Sequence, residues 1–191
     1  MNDFYGYLKR MKYIRRWSLM HSTLEENDME HTMDVTVIAH ALALIGNKKF
    51  EKNYNLEKVL NYALYHECSE VITGDLPTPV KYFNRDINVA YKDLELIACK
   101  KLLDTLDEDL RAEYEKALIP DKDSDEYKIM KWADRISAYV KCIDEVNAGN
   151  KEFKKAHASI GKDVKSINEP EVKYFIDNVL PSFTKSLDEL D

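Results

Sequence analysis

Apolar side chains recur at helical spacing along almost the entire chain, and this periodicity constrains the fold more than any other feature. Val35, Ile38 and Leu42 follow His31 at positions i+4, i+7 and i+11, which places them on one face of an α-helix. The 191 residues include only 5 Gly and 5 Pro, so few positions interrupt such helices. The sequence therefore predicts an all-α fold, with residues 1–191 forming a single domain.

A series of helices follows from this spacing. Asn27 or Asp28 is predicted to cap the second helix, and Ser124 is predicted to cap the sixth. A Gly-Asp-Leu-Pro-Thr-Pro loop, residues 74–79, is predicted to end the third. Eight helices are predicted, over positions 4–14, from 31 to a stop near 46, over 59–70, 87–102 and 110–118, from the cap at 124 to about 147, and over 153–164 and 172–183. Gly149 is predicted to stop the sixth helix. The last helix is predicted to be kinked or divided at Pro181.

Charge and composition exclude several classes of function. A formal net charge of −7 provides no basic footprint for a nucleic-acid polymer, so a small substrate is favoured. The longest apolar stretch, residues 37–45, contains His40 and is far shorter than the ~20 residues that span a bilayer, so no membrane association is predicted. Three scattered cysteines and an N-terminus without the basic-then-apolar order of a signal peptide predict reduced thiols and a cytoplasmic location.

Three ionisable residues lie on otherwise apolar helix faces. His31, His66 and Asp134 belong to three different predicted helices, and burying each of them alone would be costly. The simplest explanation is that they meet in the core, joined by Glu67, because imidazole nitrogens and carboxylate oxygens together suit Mn, Fe, Co, Ni or Zn. A hydrogen-bonded core histidine remains the alternative at each position.

The order of these residues is similar to a known one. The pattern His, His-Asp, Asp marks the HD-domain metal-dependent phosphohydrolases, and the chain resembles their bacterial 5'-deoxynucleotidase branch in particular. The resemblance is carried by IRRWSLM from residue 14, MEHTMDV from 29, LYHECSEVITGDLPTPVKYFN from 64, KWADRISAYVKCIDEVNAGN from 131 and PSFTKSLDEL from 181. It implies an HD-domain helical bundle and covers nearly the whole chain.

One position departs from the family pattern. The second motif of the family reads His-Asp, whereas this chain reads His66-Glu67. Glutamate carries the same carboxylate on an arm that is one methylene longer, and metal–oxygen bonds of ~2.0–2.2 Å tolerate little misplacement. Either the backbone adjusts to the longer arm or the affinity for metal falls.

The resemblance implies a metal-dependent 5'-deoxynucleotidase that converts a deoxyribonucleoside 5'-monophosphate and water to a deoxynucleoside and phosphate. It further implies one divalent ion, Co2+ or Mn2+, a preference for deoxyribose and a homodimer. The ion would be held by His31, His66, Glu67 and Asp134, and coordination would bring a water towards hydroxide at neutral pH.

The remaining predicted site residues surround this metal set. Glu70 is placed to orient or deprotonate the attacking water, and Asp75 is implied as proton donor to the leaving 5'-oxygen or as a sugar contact. Arg16 offers a planar fork of donors for phosphate oxygens, and Trp17 offers an aromatic face for the sugar. Thr78 and Lys81 are predicted as further polar contacts to the substrate. From the residues alone, Arg16 and Glu70 could equally be solvated, Trp17 a core aromatic and Asp75 a turn former.

Two other functions remain open at this point. The same fold could act on another nucleotide, such as a diphosphate, a triphosphate, a cyclic nucleotide or an alarmone. Alternatively, the protein could be a non-catalytic nucleotide-binding helical protein in which Glu67 has weakened the metal site.

Overall fold

The computed structural model describes residues 2–81 and 83–190. Within these ranges the regular secondary structure is helical, and pairing between extended segments is limited to an isolated antiparallel bridge between Arg15 and Asn27. The predicted domain, residues 1–191, includes Met1, Tyr82 and Asp191, which lie outside the described residues. The all-α prediction is confirmed, whereas the prediction of a single domain stays a prediction.

The helices group into two compact units. The first comprises the described residues of Met1–His21, Glu25–Met33 and Leu64–Asp121, and the second comprises Ser22–Leu24, Asp34–Ala63 and the described residues of Lys122–Asp191. The α-helices in chain order are α1 (Phe4–Leu8), α2 (Asp28–Lys49), α3 (Leu56–Tyr65), α4 (Glu70–Thr73), α5 (Thr78–Lys81), α6 (Arg85–Leu103), α7 (Glu108–Leu118), α8 (Asp125–Asn147), α9 (Lys154–Ser166) and α10 (Pro170–Asn178).

The first unit is built around α6. Helices α1, α4, α5 and α7 all pack against it, and Phe4 anchors α1 through an edge-on contact with Tyr114, with ring centroids 4.8 Å apart. An apolar cluster in the core of this unit comprises Phe4, Cys68, Cys99, Leu102, Leu103, Leu106, Ala117 and Leu118. The three cysteines of the chain are buried and form no disulfide.

The second unit is built around α8, which packs against α9 and against the 3-10 helices Lys151–Phe153 and Leu180–Thr184. Gly161 permits the close approach of α9, because a Cβ at this position would lie 2.6 Å from the ring of Tyr139 on α8. Near the end of α8 the carboxylate of Glu145 accepts hydrogen bonds from the backbone N–H groups of Thr23 and Leu24. These contacts hold residues 22–24 against the helix.

The predicted helix ends are confirmed where a side chain marks them. Asn27 caps α2, because its Oδ1 accepts from the backbone N–H groups of Met29 and Glu30 at 3.0 and 3.1 Å. Ser124 caps α8 by accepting from the Tyr127 N–H at 3.3 Å. Gly149 follows α8 with φ +85°, a conformation that glycine adopts without steric cost.

Other predicted boundaries were wrong. The first predicted helix is divided, because α1 ends at Leu8 and a 3-10 helix continues over Lys9–Tyr13. The third ends at Tyr65 and not near Glu70, and the predicted loop after it contains the short helix α5. The predicted last helix is divided, as expected, because α10 ends at Asn178 and a 3-10 helix carries Pro181. No helix among the described residues has the length and apolar character to cross a membrane.

Candidate active site

Three predicted metal ligands meet in the first unit. The Nε2 atoms of His31 and His66 lie 3.8 and 3.5 Å from Oε1 of Glu67, and the centroids of the two imidazole rings lie 5.3 Å apart. Ligand atoms that each lie about 2.1 Å from one ion are separated from one another by about 3 to 4 Å. The spacing and the mixed nitrogen and oxygen donors therefore fit a single divalent ion.

A sharp turn brings His66 and Glu67 into this position. Helix α3 ends at Tyr65, and the next residues turn through short i to i+3 hydrogen bonds, from the Cys68 N–H to the Tyr65 carbonyl at 3.1 Å and from the Glu70 N–H to the Glu67 carbonyl at 3.0 Å. Glu70 then begins α4. The prediction that His66 and Glu70 share one continuous helix was wrong, because these tighter turns interrupt it.

The fourth predicted ligand, Asp134, lies on α8. Its Oδ2 accepts a hydrogen bond from Lys131 Nζ at 2.7 Å, and its side chain is 20% exposed. His31, His66 and Glu67 belong to the first unit, whereas Asp134 belongs to the second. The role of Asp134 as the fourth ligand stays a prediction.

Arg16 reaches the same group of ligands. Its Nη1 donates to Oε1 of Glu67 at 3.0 Å and lies 3.8 Å from Oδ1 of Asp28. The side chain of Arg16 is only 15% exposed, so the alternative of a solvated helix end is wrong. A planar guanidinium beside a predicted metal ligand is well placed to bind phosphate oxygens.

Trp17 has an unusual backbone conformation with φ +56°, which is sterically unfavourable for a bulky side chain. Its indole Nε1 donates to Oε2 of Glu26 at 2.8 Å. The second oxygen of Glu26, Oε1, lies 3.4 Å from His31 Nδ1. Burial raises the pKa of the Glu26 carboxyl, but the contact with His31, together with Arg16 and Trp17, outweighs burial and lowers that pKa below its ordinary value.

Further carboxyl groups lie close to Glu67. Burial, together with the charges of Glu67, Asp28 and Asp75, raises the pKa of Glu70 to about 11. Burial and the Glu67 charge raise the pKa of Asp28 to about 7, and burial also raises the pKa of Asp75. A bound divalent cation would lower all three pKa values, because it favours the ionised carboxylates.

A family model gives an independent comparison. The model for the YfbR-like 5'-deoxynucleotidases matches residues 3–183 of this chain. The chain belongs to this family. A 5'-deoxynucleotidase of Vibrio cholerae is 46% identical over 99% of this chain and 98% of its own length. The 5'-deoxynucleotidase of Shewanella oneidensis is 42% identical over 100% of this chain and 98% of its own length.

Solved structures agree with the fold. An HD-domain phosphohydrolase from Listeria innocua superposes with a TM-score of 0.81 over 95% of this chain and 88% of that protein, at 22% identity. The HD phosphohydrolase of cyanophage S-2L, bound to dA and one catalytic Zn2+ ion, superposes with a TM-score of 0.61 over 93% of this chain and 96% of its own, at 17% identity. The predicted 5'-deoxynucleotidase branch, HD-domain fold and phosphoric monoester hydrolase class are thus confirmed.

The remaining predicted residues of this YfbR-like chain differ in the contacts they make within the protein. Lys81 donates to Glu95 of α6 at 2.8 Å and lies over the ring of Tyr91, while Thr78 is exposed at the start of α5. Their roles as substrate contacts stay predictions, as does the role of Asp75.

Sequence reasoning missed two residues of the site, Glu26 and Asp28. Asp28 was explained as a helix cap, yet its side chain is fully buried beside Arg16. Its position three residues before His31 places it on the same helix face, and this spacing was the available signal. Nothing in the sequence around Glu26 marks it, because its contacts depend on the path of the chain at Trp17.

Proposed function

We propose that this protein is a metal-dependent 5'-deoxynucleotidase, which hydrolyses deoxyribonucleoside 5'-monophosphates to deoxynucleosides and phosphate. The observation that carries the proposal is the contact of Glu67 Oε1 with His31, His66 and Arg16, at 3.8, 3.5 and 3.0 Å. This contact supports the proposal that a metal-ligand set lies beside a cation that binds phosphate, an arrangement suited to phosphoryl transfer. The names of the full-length relatives support the same activity.

One divalent ion would be held by His31, His66, Glu67 and Asp134. When bound, the ion would supply the Lewis acidity that polarises a phosphoryl oxygen and makes water a nucleophile at neutral pH. Co2+ or Mn2+ would be the activating ion. The Zn2+ ion in the cyanophage relative supports a divalent metal at this fold without fixing which one this protein uses.

Arg16 would bind the phosphate. Its guanidinium carries more than one N–H donor, so it can keep its bond to Glu67 while donating to an equatorial phosphate oxygen. This arrangement neutralises charge that develops on the phosphoryl group during in-line displacement. Thr78 and Lys81 would add outer polar contacts.

Glu70 and Asp75 would act as the general base and the general acid of the reaction. Glu70 is buried three residues after the ligand Glu67, so it can orient the attacking water and accept its proton once a cation has lowered its pKa. Asp75, whose pKa is raised by burial, is suited to hold a proton near neutrality and deliver it to the departing 5'-oxygen.

Trp17 would select the sugar. An indole packed against the ribose ring leaves no room for a 2'-hydroxyl, so deoxyribose is favoured. The dA bound by the cyanophage relative is a deoxynucleoside, which supports this assignment. A homodimer and a cytoplasmic location complete the proposal, and light scattering of the purified protein measures the first.

Phosphate release from matched deoxyribo- and ribonucleoside monophosphates, each assayed with Mn2+, Co2+ and Zn2+, tests the proposal. We expect phosphate from the deoxyribonucleotides only, and only with metal. Equal turnover of both sugars would remove sugar selection. Pyrophosphate release from triphosphates would favour the alternative of another nucleotide substrate, and the absence of both bound metal and phosphate release would favour a non-catalytic binding protein.

A further inference from the structure

Glu26 connects two parts of the site that have different tasks. Its Oε2 accepts from the indole of Trp17 at 2.8 Å, and its Oε1 lies 3.4 Å from His31 Nδ1. One carboxylate is therefore shared between the residue proposed to hold the sugar and a residue proposed to hold the metal. We propose that Glu26 is a positioning residue that fixes His31 for metal binding and Trp17 for nucleotide binding at the same time. This inference rests on the proposed function.

The contact with His31 selects one form of the imidazole. A carboxylate only accepts hydrogen bonds, so the Nδ1 that faces Glu26 carries the proton and Nε2 keeps its lone pair. That Nε2 atom is the one that faces Glu67 Oε1 at 3.8 Å, on the side where the other ligands lie. Carboxylates that bind the second nitrogen of a metal-ligating histidine commonly fix its orientation and strengthen it as a ligand.

The contact with Trp17 stabilises a backbone conformation that is unfavourable by itself. With φ +56°, Trp17 lies in the left-handed region, which is sterically unfavourable for a residue other than glycine. Glu26 opposes this cost twice, since its carbonyl accepts from the Arg16 N–H at 3.0 Å and its side chain accepts from the Trp17 indole. The Arg16–Trp17 segment therefore takes its position from Glu26.

The side chain of Glu26 is 11% exposed, so solvent is a poor substitute for either partner. Glutamine at this position would keep the size of the side chain but would turn an N–H group towards one of the two donors. Only one of the contacts can then survive. Aspartate would keep the charge but is one methylene too short to span both.

The neighbouring Glu25 provides a matched control. It carries the same charge one residue away, but it is 67% exposed and pairs with the exposed Arg15. Glu25→Gln and Glu26→Gln therefore change the charge of the protein equally, and only Glu26→Gln breaks the link between Trp17 and His31.

Binding of Zn2+ alone, measured by calorimetry on metal-free protein, is the first readout, because it does not depend on turnover. We expect Glu26→Gln to weaken Zn2+ binding by about 10–100-fold and Glu25→Gln to leave it unchanged. Equal affinity in wild type and Glu26→Gln would overturn the proposal, and so would an equal loss in both variants. If Glu26→Gln does not fold, Glu26→Asp is expected to lose affinity in the same direction, and wild-type affinity in that variant would also overturn the proposal.

Fluorescence of Trp17 is the second readout. The chain has 2 Trp, so a Trp132→Phe background leaves Trp17 as the single tryptophan, which is excited selectively at wavelengths that tyrosine does not absorb. Zn2+ is expected to change this emission in the presence of Glu26 and not after Glu26→Gln. A Zn2+-dependent change in Trp17 emission that persists in Glu26→Gln would contradict the link between Trp17 and His31 through Glu26.

The test also separates this inference from the proposed function. If the wild-type protein hydrolyses no deoxyribonucleotide, yet Glu26→Gln still weakens Zn2+ binding and removes the fluorescence response, the proposed function fails and the positioning role stands. If hydrolysis is found and both readouts are unchanged in Glu26→Gln, the proposed function stands and the positioning role fails.

Discussion

Arg16 Nη1 donates a hydrogen bond to Glu67 Oε1 at 3.0 Å, so the side chain proposed to bind phosphate is directly bonded to a side chain proposed to bind metal. Both are largely shielded from solvent, with 15% and 17% of their side chains exposed. The pair therefore has two opposite effects. The guanidinium attracts the anionic substrate, but it competes with the metal for the carboxylate.

Arg16→Ala is expected to separate these two effects. Loss of the guanidinium should lower kcat/KM for a deoxyribonucleoside monophosphate by about 100-fold or more, because a buried charge on the phosphate is left unneutralised. The affinity for Mn2+ should stay equal or rise, since a cation has been removed from beside Glu67. Arg15→Ala is the control, because Arg15 is 70% exposed. Weaker Mn2+ binding in Arg16→Ala would contradict this account of the pair.

Two substitutions at Glu67 test whether charge or arm length matters for metal binding. Glu67→Asp restores the family residue and should keep Mn2+ affinity within about tenfold of wild type, because the carboxylate is retained. Glu67→Gln should weaken binding by about 100-fold or more, since losing even a residue behind a ligand costs 10–100-fold. Calorimetry with Mn2+ measures both. Equal losses in the two variants would mean that the longer arm is required here.

Glu145 should make stability depend on pH. It is 1% exposed and accepts from Lys141 Nζ at 2.6 Å and Asn150 Nδ2 at 2.8 Å, in addition to Thr23 and Leu24. Burial raises its pKa, but these donors outweigh burial and hold the pKa well below its ordinary value. The stabilisation is therefore complete above the ordinary glutamate pKa of ~4.3 and is lost as the pH falls towards the lowered value.

Urea unfolding of Glu145→Gln measures this contribution. We expect the free energy of unfolding at pH 7 to fall by about 3 kcal/mol, because the buried Lys141 loses its anionic partner. The difference from wild type should shrink as the pH is lowered from 5 to 3. Glu152→Gln, at an exposed position of the 3-10 helix Lys151–Phe153, is the control. A difference that is independent of pH would show that Glu145 acts by its shape alone.

Gly161→Ala should destabilise the second unit. The added Cβ would lie 2.6 Å from the Tyr139 ring, and relieving such an overlap typically costs about 1–3 kcal/mol. Gly6→Ala is the matched control, since nothing lies within 4 Å of a Cβ at Gly6 in α1; alanine there should stabilise by a few tenths to about 1 kcal/mol. Thermal melting of the two variants should therefore shift in opposite directions, and a shift in the same direction would contradict the close contact of α8 and α9.

Parts of the fold and of the site could be predicted because they depend on local spacing. On α2, the periodicity correctly placed His31, Val35 and Leu42 in the interior, since a regular helix repeats every 3.6 residues. The cost of burying His31, His66 and Asp134 singly led to the predicted metal set, which Glu67 completes, and within the first unit His31, His66 and Glu67 do lie together.

Other parts depend on contacts that no local pattern encodes. The spacing of His66 and Glu70 fits a continuous helix as well as it fits a helix followed by tight turns, so the break after Tyr65 could not be predicted. The role of Glu26 requires the chain to fold back at Trp17 and to pair Arg15 with Asn27. Asp28 has a sufficient local explanation as a cap, which concealed its buried position beside Arg16.

The left-handed backbone at position 17 restricts which side chains fit there without steric cost. Glycine or asparagine would occupy such a geometry at little steric expense. An indole at this position therefore carries a steric penalty that a smaller residue would avoid.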